Sequence, residues 1–306
     1  MSNGCWPKGR DLDWVKPASG ERLVVLGADG FIGRSVVRLA VSSGASVAAL
    51  MPDDRWCDGA GRHALERALI GADALALLAY EPPPENGSSV LDHELEVNAR
   101  GARCVAEIAG EHGVRTVFAS SAEVYGDWCD RPVREDDVAS PSRPYAVAKL
   151  EAERLVGEAA DRHGVTATCL RISTVFGPGE NRPRAIPAFI RAHLRREPPV
   201  VHGDGSDVHD YVFVDDVAGA ILNACRPDSA ADRVVNVGSG VGRSTLDVLR
   251  TVNKVMGAGL PARHEPSPRP TSRLVLDPAR AERQLAFRPR MDFEAALADE
   301  VAWLSQ

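Results

Sequence analysis

The chain has 306 residues, of which 44% are hydrophobic, so it can bury the core of one large α/β domain or of two coupled domains. Its formal net charge of −7 provides no extended basic surface for a nucleic acid. The N-terminus lacks the apolar run of a signal peptide and no segment approaches the roughly 18 apolar residues of a membrane helix, so we expect a cytoplasmic protein that binds neither nucleic acid nor membrane.

The first 20 residues mix glycine, proline, serine and charges without periodicity, which predicts an extension (1–20) ahead of the first strand. From residue 22 onward, short apolar runs alternate with stretches of helical periodicity. The runs cover residues 23–27, 46–50, 73–79, 115–121 and 167–172. They are too hydrophobic to be half exposed, so they predict a parallel sheet that helices cover on both faces. We expect an α/β fold with a Rossmann-like, doubly wound parallel sheet over residues 21–175.

Proline and glycine become more frequent after residue 175, and arginine-rich segments lie between shorter elements. This change of texture predicts a smaller C-terminal α/β substrate-binding region over residues 176–306. The segment 234–239 has the apolar character of one more strand, and we expect it to return to the first sheet. Arginine clusters in this half, such as Arg182 and Arg184, are compatible with anion contacts, but their pattern favours a solvated helix face.

Three glycines mark the turn between the first strand and the first helix. Gly27, Gly30 and Gly33 stand where the pyrophosphate of a dinucleotide can approach the backbone and lie at a helix N-terminus. The GxxGxxG spacing alone is a weak signal. Its position between a strand and a helix at the start of the sheet predicts a dinucleotide-binding loop.

The end of the second predicted strand leaves the choice of nicotinamide cofactor open. An acidic residue there accepts hydrogen bonds from the adenosine ribose, but position 51 is a methionine. Asp53 is displaced by two residues, and Arg55 just after it is suited to a 2′-phosphate. Asp58 is a candidate contact to the adenine edge. The sequence is therefore compatible with NAD and with NADP.

A tyrosine and a lysine follow at helical spacing, and a serine precedes them. Tyr145 and Lys149 stand at i and i+4, so their side chains share one helix face. An ammonium beside a phenol favours the phenolate, and the positive nicotinamide of an oxidised cofactor acts in the same direction. The tyrosine can therefore act as a base near neutral pH or, in reverse, as a proton donor. Ser121 ends an apolar strand, and its hydroxyl can hold the same substrate oxygen. Together they predict an acid/base site.

Several longer motifs resemble one protein family. They are GADGFIG (27–33), LLAY (77–80), Asn98 followed by Gly101, SSAEVYGD (120–127), YAVAKLEAE (145–153), LRISTVFGPG (170–179), DYVFVDDVAGA (210–220) and VVNVGSG (234–240). In this order they resemble the extended short-chain dehydrogenase/reductases, and more narrowly the NAD-dependent epimerase/dehydratase family that works on nucleotide sugars. The resemblance runs from about residue 22 to the C-terminus.

The resemblance implies roles for individual residues and a reaction. It places the catalytic trio on Ser121, Tyr145 and Lys149, and implies hydride transfer between C4 of the sugar and the nicotinamide. Cofactor contacts implied by it are the loop glycines, the backbone donors Phe31 and Ile32, Ala79 beside the nicotinamide ribose, Asn98 as a support from the neighbouring helix, and Lys149 at the ribose hydroxyls. It implies no metal.

Two positions depart from the family pattern on the substrate side. Thr174 replaces an asparagine directed at the substrate, and His209 replaces an arginine that meets the nucleotide diphosphate. A neutral imidazole is a weaker phosphate partner than a guanidinium. Arg269 aligns with a second phosphate-contacting arginine of the family. Either another arginine compensates for His209, or the ligand differs from an ordinary nucleotide sugar.

Glu123 separates the possible reactions. Sugar dehydratases of the family carry two carboxylates, or one glutamate, before VYG, and these act at C5 and C6 after C4 is oxidised. Ala122 excludes the version with two carboxylates, whereas a 4,6-dehydratase or a decarboxylase with Glu123 alone remains open. Epimerases and ketoreductases need only the trio. We expect a 4-ketoreductase or a 4-epimerase, with a non-catalytic dinucleotide-binding relative as a further alternative.

The family resemblance also implies a homodimer in which the helices at 98–112 and 145–163 pair across a two-fold axis. Val105, Ile108 and Leu155 are apolar positions available for such an interface, and they could equally face the sheet.

The six cysteines lie far apart in the sequence, at positions 5, 57, 104, 129, 169 and 225. They form no CxxC pair and have no histidine at metal-ligand spacing. This pattern predicts reduced thiols, without a disulfide or a metal site.

Overall fold

The computed structural model describes residues 14–15, 19–51, 56–84, 89–229, 231–267, 269–289 and 292–306. Its strands are β1 (Arg22–Leu26), β2 (Ser46–Leu50), β3 (Ala74–Leu77), β4 (Arg115–Ser121), β5 (Ala167–Ile172), β6 (Thr174–Phe176), β7 (Val200–His202), β8 (Val208–Phe213), β9 (Val234–Val237), β10 (Gly242–Ser244), β11 (Arg263–Glu265) and β12 (Arg273–Leu274). Its α-helices are α1 (Phe31–Ser42), α2 (Gly59–Leu69), α3 (Val90–His93), α4 (Arg100–Glu111), α5 (Pro144–His163), α6 (Ala185–Arg195), α7 (Val214–Cys225), α8 (Thr245–Val255), α9 (Ala279–Gln284) and α10 (Phe293–Leu304). A π-helical segment, Glu94–Ala99, joins α3 to α4, and a 3₁₀ turn, Ala122–Tyr125, follows β4.

A parallel sheet of six strands, in the order β2-β1-β3-β4-β5-β9, forms the centre of the fold. All residues of β3 and β5 are buried, because helices cover both faces. β9 pairs with β5, so residues 234–237 lie in the first sheet. The Rossmann-like fold predicted from the apolar runs is confirmed.

Two hydrophobic layers flank this sheet. On one face α1 packs on α7, with Val36, Ala40 and Ile221 fully buried. On the other face α2, α4 and α5 pack over the sheet through Leu65, Ile108 and other buried side chains. Because α7 belongs to residues 176–306, that part of the chain contributes a helix as well as β9 to the sheet's layers.

The remaining elements form a smaller unit beside the sheet. β10, β8 and β12 make a second sheet to which β6 adds through β8, while β7 pairs with β11. α6, α8 and α10 cover a separate core that includes Phe176, Phe189, Val248 and Leu297. β6 follows β5 after a single residue, so this unit begins where a strand of the central sheet ends.

Two of the cysteine positions need a correction. Cys57 and Cys104 form a disulfide, with their Cα atoms 5.8 Å apart, so the prediction of reduced thiols throughout is wrong. Cys57 lies just before α2 and Cys104 lies on α4, and the two helices pack on the same face of the sheet. A spacing of 47 residues hid this pair, because tertiary packing alone brings it together. Cys5 lies outside the described residues.

The described part of the N-terminal extension packs on the body of the protein. Trp14 is buried, its ring contacts Phe287 edge-on at 5.7 Å, and its carbonyl accepts a hydrogen bond from Asn223. Among the helices of the described residues, none is long and apolar enough to cross a membrane.

Candidate active site

The glycine loop forms a cradle that side chains would fill. Gly27 has φ +90°, and a Cβ there would lie 2.8 Å from the backbone nitrogen of Ala79. A Cβ at Gly33 would overlap the carbonyl oxygen of Gly27. Gly30 precedes α1 without a side-chain cap, and the first turn of α1 contains no carboxylate. The N–H groups at Phe31 and Ile32 are thus placed as donors to an anion, and the loop fits the pyrophosphate of a dinucleotide.

The residues predicted to distinguish NAD from NADP are only partly described. Asp53 and Arg55 lie outside the described residues. Asp58 is exposed at the N-cap position of α2, where its side chain makes no capping hydrogen bond. Ala79 lies beside Gly27, next to the glycine loop, and its contact with the nicotinamide ribose stays a prediction.

The structure brings the serine, the tyrosine and the lysine together. Ser121 ends β4, and its Oγ accepts a hydrogen bond of 3.2 Å from the Glu123 nitrogen. Tyr145 stands in the first turn of α5, which Pro144 starts. The Nζ of Lys149, one turn later, lies 5.8 Å from the Tyr145 ring centroid and donates to the Ala119 carbonyl at 2.8 Å.

Burial dominates the electrostatics of this trio. Burial first, and the nearby charge of Glu123 second, raise the pKa of Tyr145 to about 12, while the hydrogen bond with Ser121 and the charges of two arginines oppose the shift. Burial also lowers the pKa of Lys149 to about 8. The described site therefore favours a neutral phenol, and the phenolate expected from the lysine alone is not the favoured form. A base role for Tyr145 needs further positive charge.

Three polar side chains, those of Tyr80, Glu94 and Asn98, form a hydrogen-bonded group next to the trio. The Tyr80 hydroxyl donates to Glu94 at 2.7 Å, and the Tyr80 ring meets the Tyr145 ring edge-on at 5.3 Å. Asn98 bonds both the N–H and the carbonyl of Glu81 at 2.9 Å and donates to Glu94 at 2.9 Å. Asn98 thus supports the chain that follows Ala79. Sequence reasoning found Asn98 but missed Tyr80 and Glu94, because only tertiary contacts link them.

The predicted substrate residues are spread over the smaller unit. Thr174 begins β6 and pairs in register with Tyr211. His209 lies on β8, and burial lowers its pKa, which favours the neutral imidazole. Arg269 is exposed, and its contacts are backbone hydrogen bonds with the Ser267 hydroxyl. Within the described part of the chain, the structure does not bring the Arg269 side chain to the trio.

Several arginines that sequence reasoning did not assign approach the site. Arg184 caps α6 and Arg182 lies two residues before Arg184; both are exposed, and the charges of both lower the pKa of Tyr145. Arg243 faces His209 across the β10–β8 ladder. Arg143 stands two residues before Tyr145 and contacts Glu123 at 3.5 Å. Its place beside the tyrosine motif was the one available sequence signal.

Glu123 is held at the edge of the site. Its carboxylate contacts Arg143, which also binds Asp127 at 2.9 Å. The side chain of Glu123 is 39% exposed. Ala122 beside it is buried and carries no titratable group.

Comparison with known proteins points to one family. Residues 23–238 match the family model of the NAD dependent epimerase/dehydratase family. A dTDP-glucose 4,6-dehydratase of Mycolicibacterium smegmatis is 30% identical over 308 residues, which cover 92% of this chain and 92% of that protein. A UDP-glucose 4-epimerase of the same organism is 31% identical over 308 residues, which cover 92% and 96%. The solved structure of MoeE5 in complex with UDP-glucuronic acid and NAD has a TM-score of 0.80 and 29% identity, covering 94% of this chain and 99% of that one.

A parallel sheet with a glycine loop after β1, and with a serine, a tyrosine and a lysine gathered beyond β4, defines a nicotinamide-dependent enzyme of the short-chain dehydrogenase/reductase class. More specifically, the chain belongs to the NAD-dependent epimerase/dehydratase family. Its relatives include both 4,6-dehydratases and 4-epimerases of nucleotide sugars.

Proposed function

We propose that this protein performs hydride chemistry at C4 of a nucleotide-activated sugar, with NAD as cofactor and 4-epimerisation as the net reaction. The observation that carries the proposal is the convergence of Ser121, Tyr145 and Lys149 beside the glycine loop. NAD is supported over NADP by the family's NAD dependence and by the NAD bound to its structural neighbours. A 4-ketoreductase would use the same trio, but it would consume one reduced nicotinamide cofactor for each sugar, whereas an epimerase consumes none.

When bound, NAD would accept the C4 hydride, return it, and add positive ring charge that favours the phenolate of Tyr145. Ser121 and Tyr145 hold the C4 oxygen through their hydroxyls, and Tyr145 takes its proton and later gives it back. Lys149 supplies positive charge behind the phenol, held in place by the Ala119 carbonyl. The proton thus leaves and returns at the C4 oxygen, and the hydride leaves and returns at C4. Rotation of the keto-sugar between the two steps brings the hydride back to the opposite face and inverts C4.

A nucleotide diphosphate is supported by the positive charge around His209. His209 is a weak phosphate partner because burial lowers its pKa. Arg243 stands opposite His209 in the ladder, and Arg143 and Arg184 lie close enough to influence the His209 pKa. These guanidinium groups can replace the phosphate contact that the histidine lacks.

The two residues after Ser121 favour epimerisation over dehydration, because neither is placed as a free acid or base. Ala122 has no acid to donate, and Glu123 is engaged by Arg143. Dehydration or decarboxylation through Glu123 stays the second candidate, because the charge of Glu123 reaches Tyr145 and a 4,6-dehydratase is 30% identical to this chain.

The test combines a substrate panel with one substitution. The protein is incubated with NAD or NADH and UDP-, dTDP- and GDP-sugars, including 4-keto forms, while nicotinamide absorbance and product mass are followed and the sugar epimers are distinguished by proton NMR. An epimerase changes the sugar without a change of mass or absorbance, a ketoreductase gains two hydrogens, and a dehydratase loses water. Tyr145→Phe should abolish turnover and leave NAD binding measurable by calorimetry. Unchanged turnover in this variant would refute the proposed role of the trio.

A further inference from the structure

The π-helical segment before α4 turns a carboxylate inward. Glu94 opens this segment and is only 2% exposed, whereas Glu96, two residues later, is exposed and pairs with Arg100 at 2.5 Å. Such single π-turns change which side chains face the interior and are frequent at functional sites. Here the turn places Glu94 and Asn98 on the side of the catalytic helix α5.

Both oxygens of the Glu94 carboxylate are hydrogen-bonded by neutral groups. Oε1 accepts from the Tyr80 hydroxyl at 2.7 Å, and Oε2 accepts from the Asn98 amide at 2.9 Å. These bonds fix the carboxylate but do not neutralise it. Among the described residues, Glu94 makes no ion pair within 4.0 Å. Burial of a charged carboxylate without an ion pair raises the free energy of the folded state unless a cation lies nearby.

The cation that faces it is Lys149. Glu94 and Lys149 line the same small cavity, together with Ala79, Asn98, Phe118, Ala148 and Ala152. Lys149 has three N–H donors, and one of them bonds the Ala119 carbonyl. The Lys149 Nζ also lies 5.9 Å from the Tyr80 ring centroid, and Tyr80 is the residue that Glu94 tethers.

We propose that Glu94 is a positioning residue, whose buried carboxylate keeps Lys149 charged and whose bond to Tyr80 holds the Tyr80 ring against Tyr145. The inference rests on the proposed function for the role of Lys149 in turnover, but the charge coupling between the two side chains does not depend on it.

The other groups that act on Lys149 set the sign of the effect. Burial lowers the pKa of Lys149 to about 8, Glu94 opposes this most strongly, Glu153 on α5 and Cys169 on β5 oppose it less, and Arg182 adds to it. Removing the Glu94 charge therefore lowers the Lys149 pKa further. Because the charged lysine is needed, the alkaline limb of the activity profile moves to lower pH.

Lysine NMR tests this without a substrate. The chain has four lysines, at positions 8, 16, 149 and 254, so ε-¹³C-labelled lysine gives few signals, and Lys149→Arg assigns the one of interest. We expect Glu94→Gln to lower the titration midpoint of Lys149 by at least about half a pH unit, a factor of about three in proton affinity. Glu96→Gln removes the same charge from the exposed side of the segment and should leave that midpoint unchanged.

The NMR result tests the role of Glu94 independently of the test of the proposed function. An unchanged Lys149 midpoint in folded Glu94→Gln would overturn the inference, whatever the substrate panel shows. If that variant does not fold, Glu94→Asp, which withdraws the charge by one methylene, should lower the midpoint by a smaller amount, and an unchanged value overturns the inference equally. Where a substrate has been found, the alkaline limb of kcat should move down with the NMR midpoint. A uniform loss of kcat without this movement would mean a merely structural role.

Discussion

Glu123 affects the ionisation of Tyr145, although the Glu123 carboxylate is paired with an arginine. It raises the pKa of Tyr145, while the contact at 3.5 Å with Arg143 holds it at the edge of the site. Two uses of this residue can be distinguished by experiment. A dehydratase or decarboxylase requires the carboxylate for proton transfer, whereas an epimerase tolerates a neutral side chain of the same size.

We expect Glu123→Gln to retain most of kcat in the epimerase and to shift the acidic limb of its pH profile to lower pH. The sign follows because the carboxylate raises the Tyr145 pKa, so its removal lets the phenol ionise more easily. A Glu123-dependent dehydratase should instead lose about 100-fold or more. Asp127→Asn removes the other carboxylate bound by Arg143 and is the matched control, with no shift of the acidic limb expected. Initial rates from about pH 5 to pH 9 provide the measurement.

Sequence patterns revealed those site residues whose spacing along the chain carries their geometry. Tyr145 and Lys149 are one helical turn apart, and Ser121 ends an apolar strand, so local periodicity was enough. The sequence patterns did not reveal Glu94, Tyr80 and Arg143. Their positions in the site result from a π-turn and from side-chain contacts between distant segments. The burial of Tyr145, which raises its pKa, also cannot be predicted from two neighbouring residues.

At the scale of elements, the junction between β1 and α1 depends on a close backbone contact. Gly33 packs against the carbonyl oxygen of Gly27, and a side chain there has no room. Gly101, inside α4, is the opposite case, because a Cβ there would meet no atom within 4 Å. These two glycines provide a matched pair of substitutions.

Gly33→Ala should weaken NAD binding by roughly tenfold or more, because α1 must move away from the loop that cradles the pyrophosphate. Gly101→Ala should leave NAD affinity unchanged and raise stability by about 0.5–1 kcal/mol, since alanine restricts the unfolded chain and suits a helix. Calorimetric titration with NAD and thermal unfolding measure both effects. Wild-type affinity in Gly33→Ala would mean that NAD does not use this loop.

The elements of the central sheet could be predicted because its strands are continuous apolar runs. The small strands β6, β10 and β12 have two or three residues each, too few for any periodicity to develop. They form because folding of the chain brings them next to their partner strand β8 in the second sheet. The disulfide between Cys57 and Cys104 belongs to the same category of long-range contact.

At the scale of the whole molecule, the homodimer implied by the family stays a prediction, and the structure changes its expected chemistry. Val105, Ile108 and Leu155 are buried within the protomer, so they are not available for an interface. The exposed faces of α4 and α5 instead carry ion pairs, among them Arg154 with Glu151 and Glu158, and Arg162 with Glu107.

A dimer formed through these helices should therefore weaken with salt. We expect sedimentation analysis to show a larger dimer fraction at about 0.05 M than at about 1 M ionic strength, because charges on exposed faces are screened. Reversal of one charge by Arg154→Glu should reduce the dimer fraction at low salt. A dimer insensitive to both changes would have to use another surface.

The place of β9 in the sheet has a consequence for synthesis of the chain. Its partner β5, whose six residues are all buried in the finished protein, leaves the ribosome long before Val234–Val237 is made. Until then the nascent sheet ends in an apolar edge with unpaired peptide groups, the kind of edge that other chains can join. The interval between the translation of β5 and that of β9 is thus the period in which this edge is open to association with other chains.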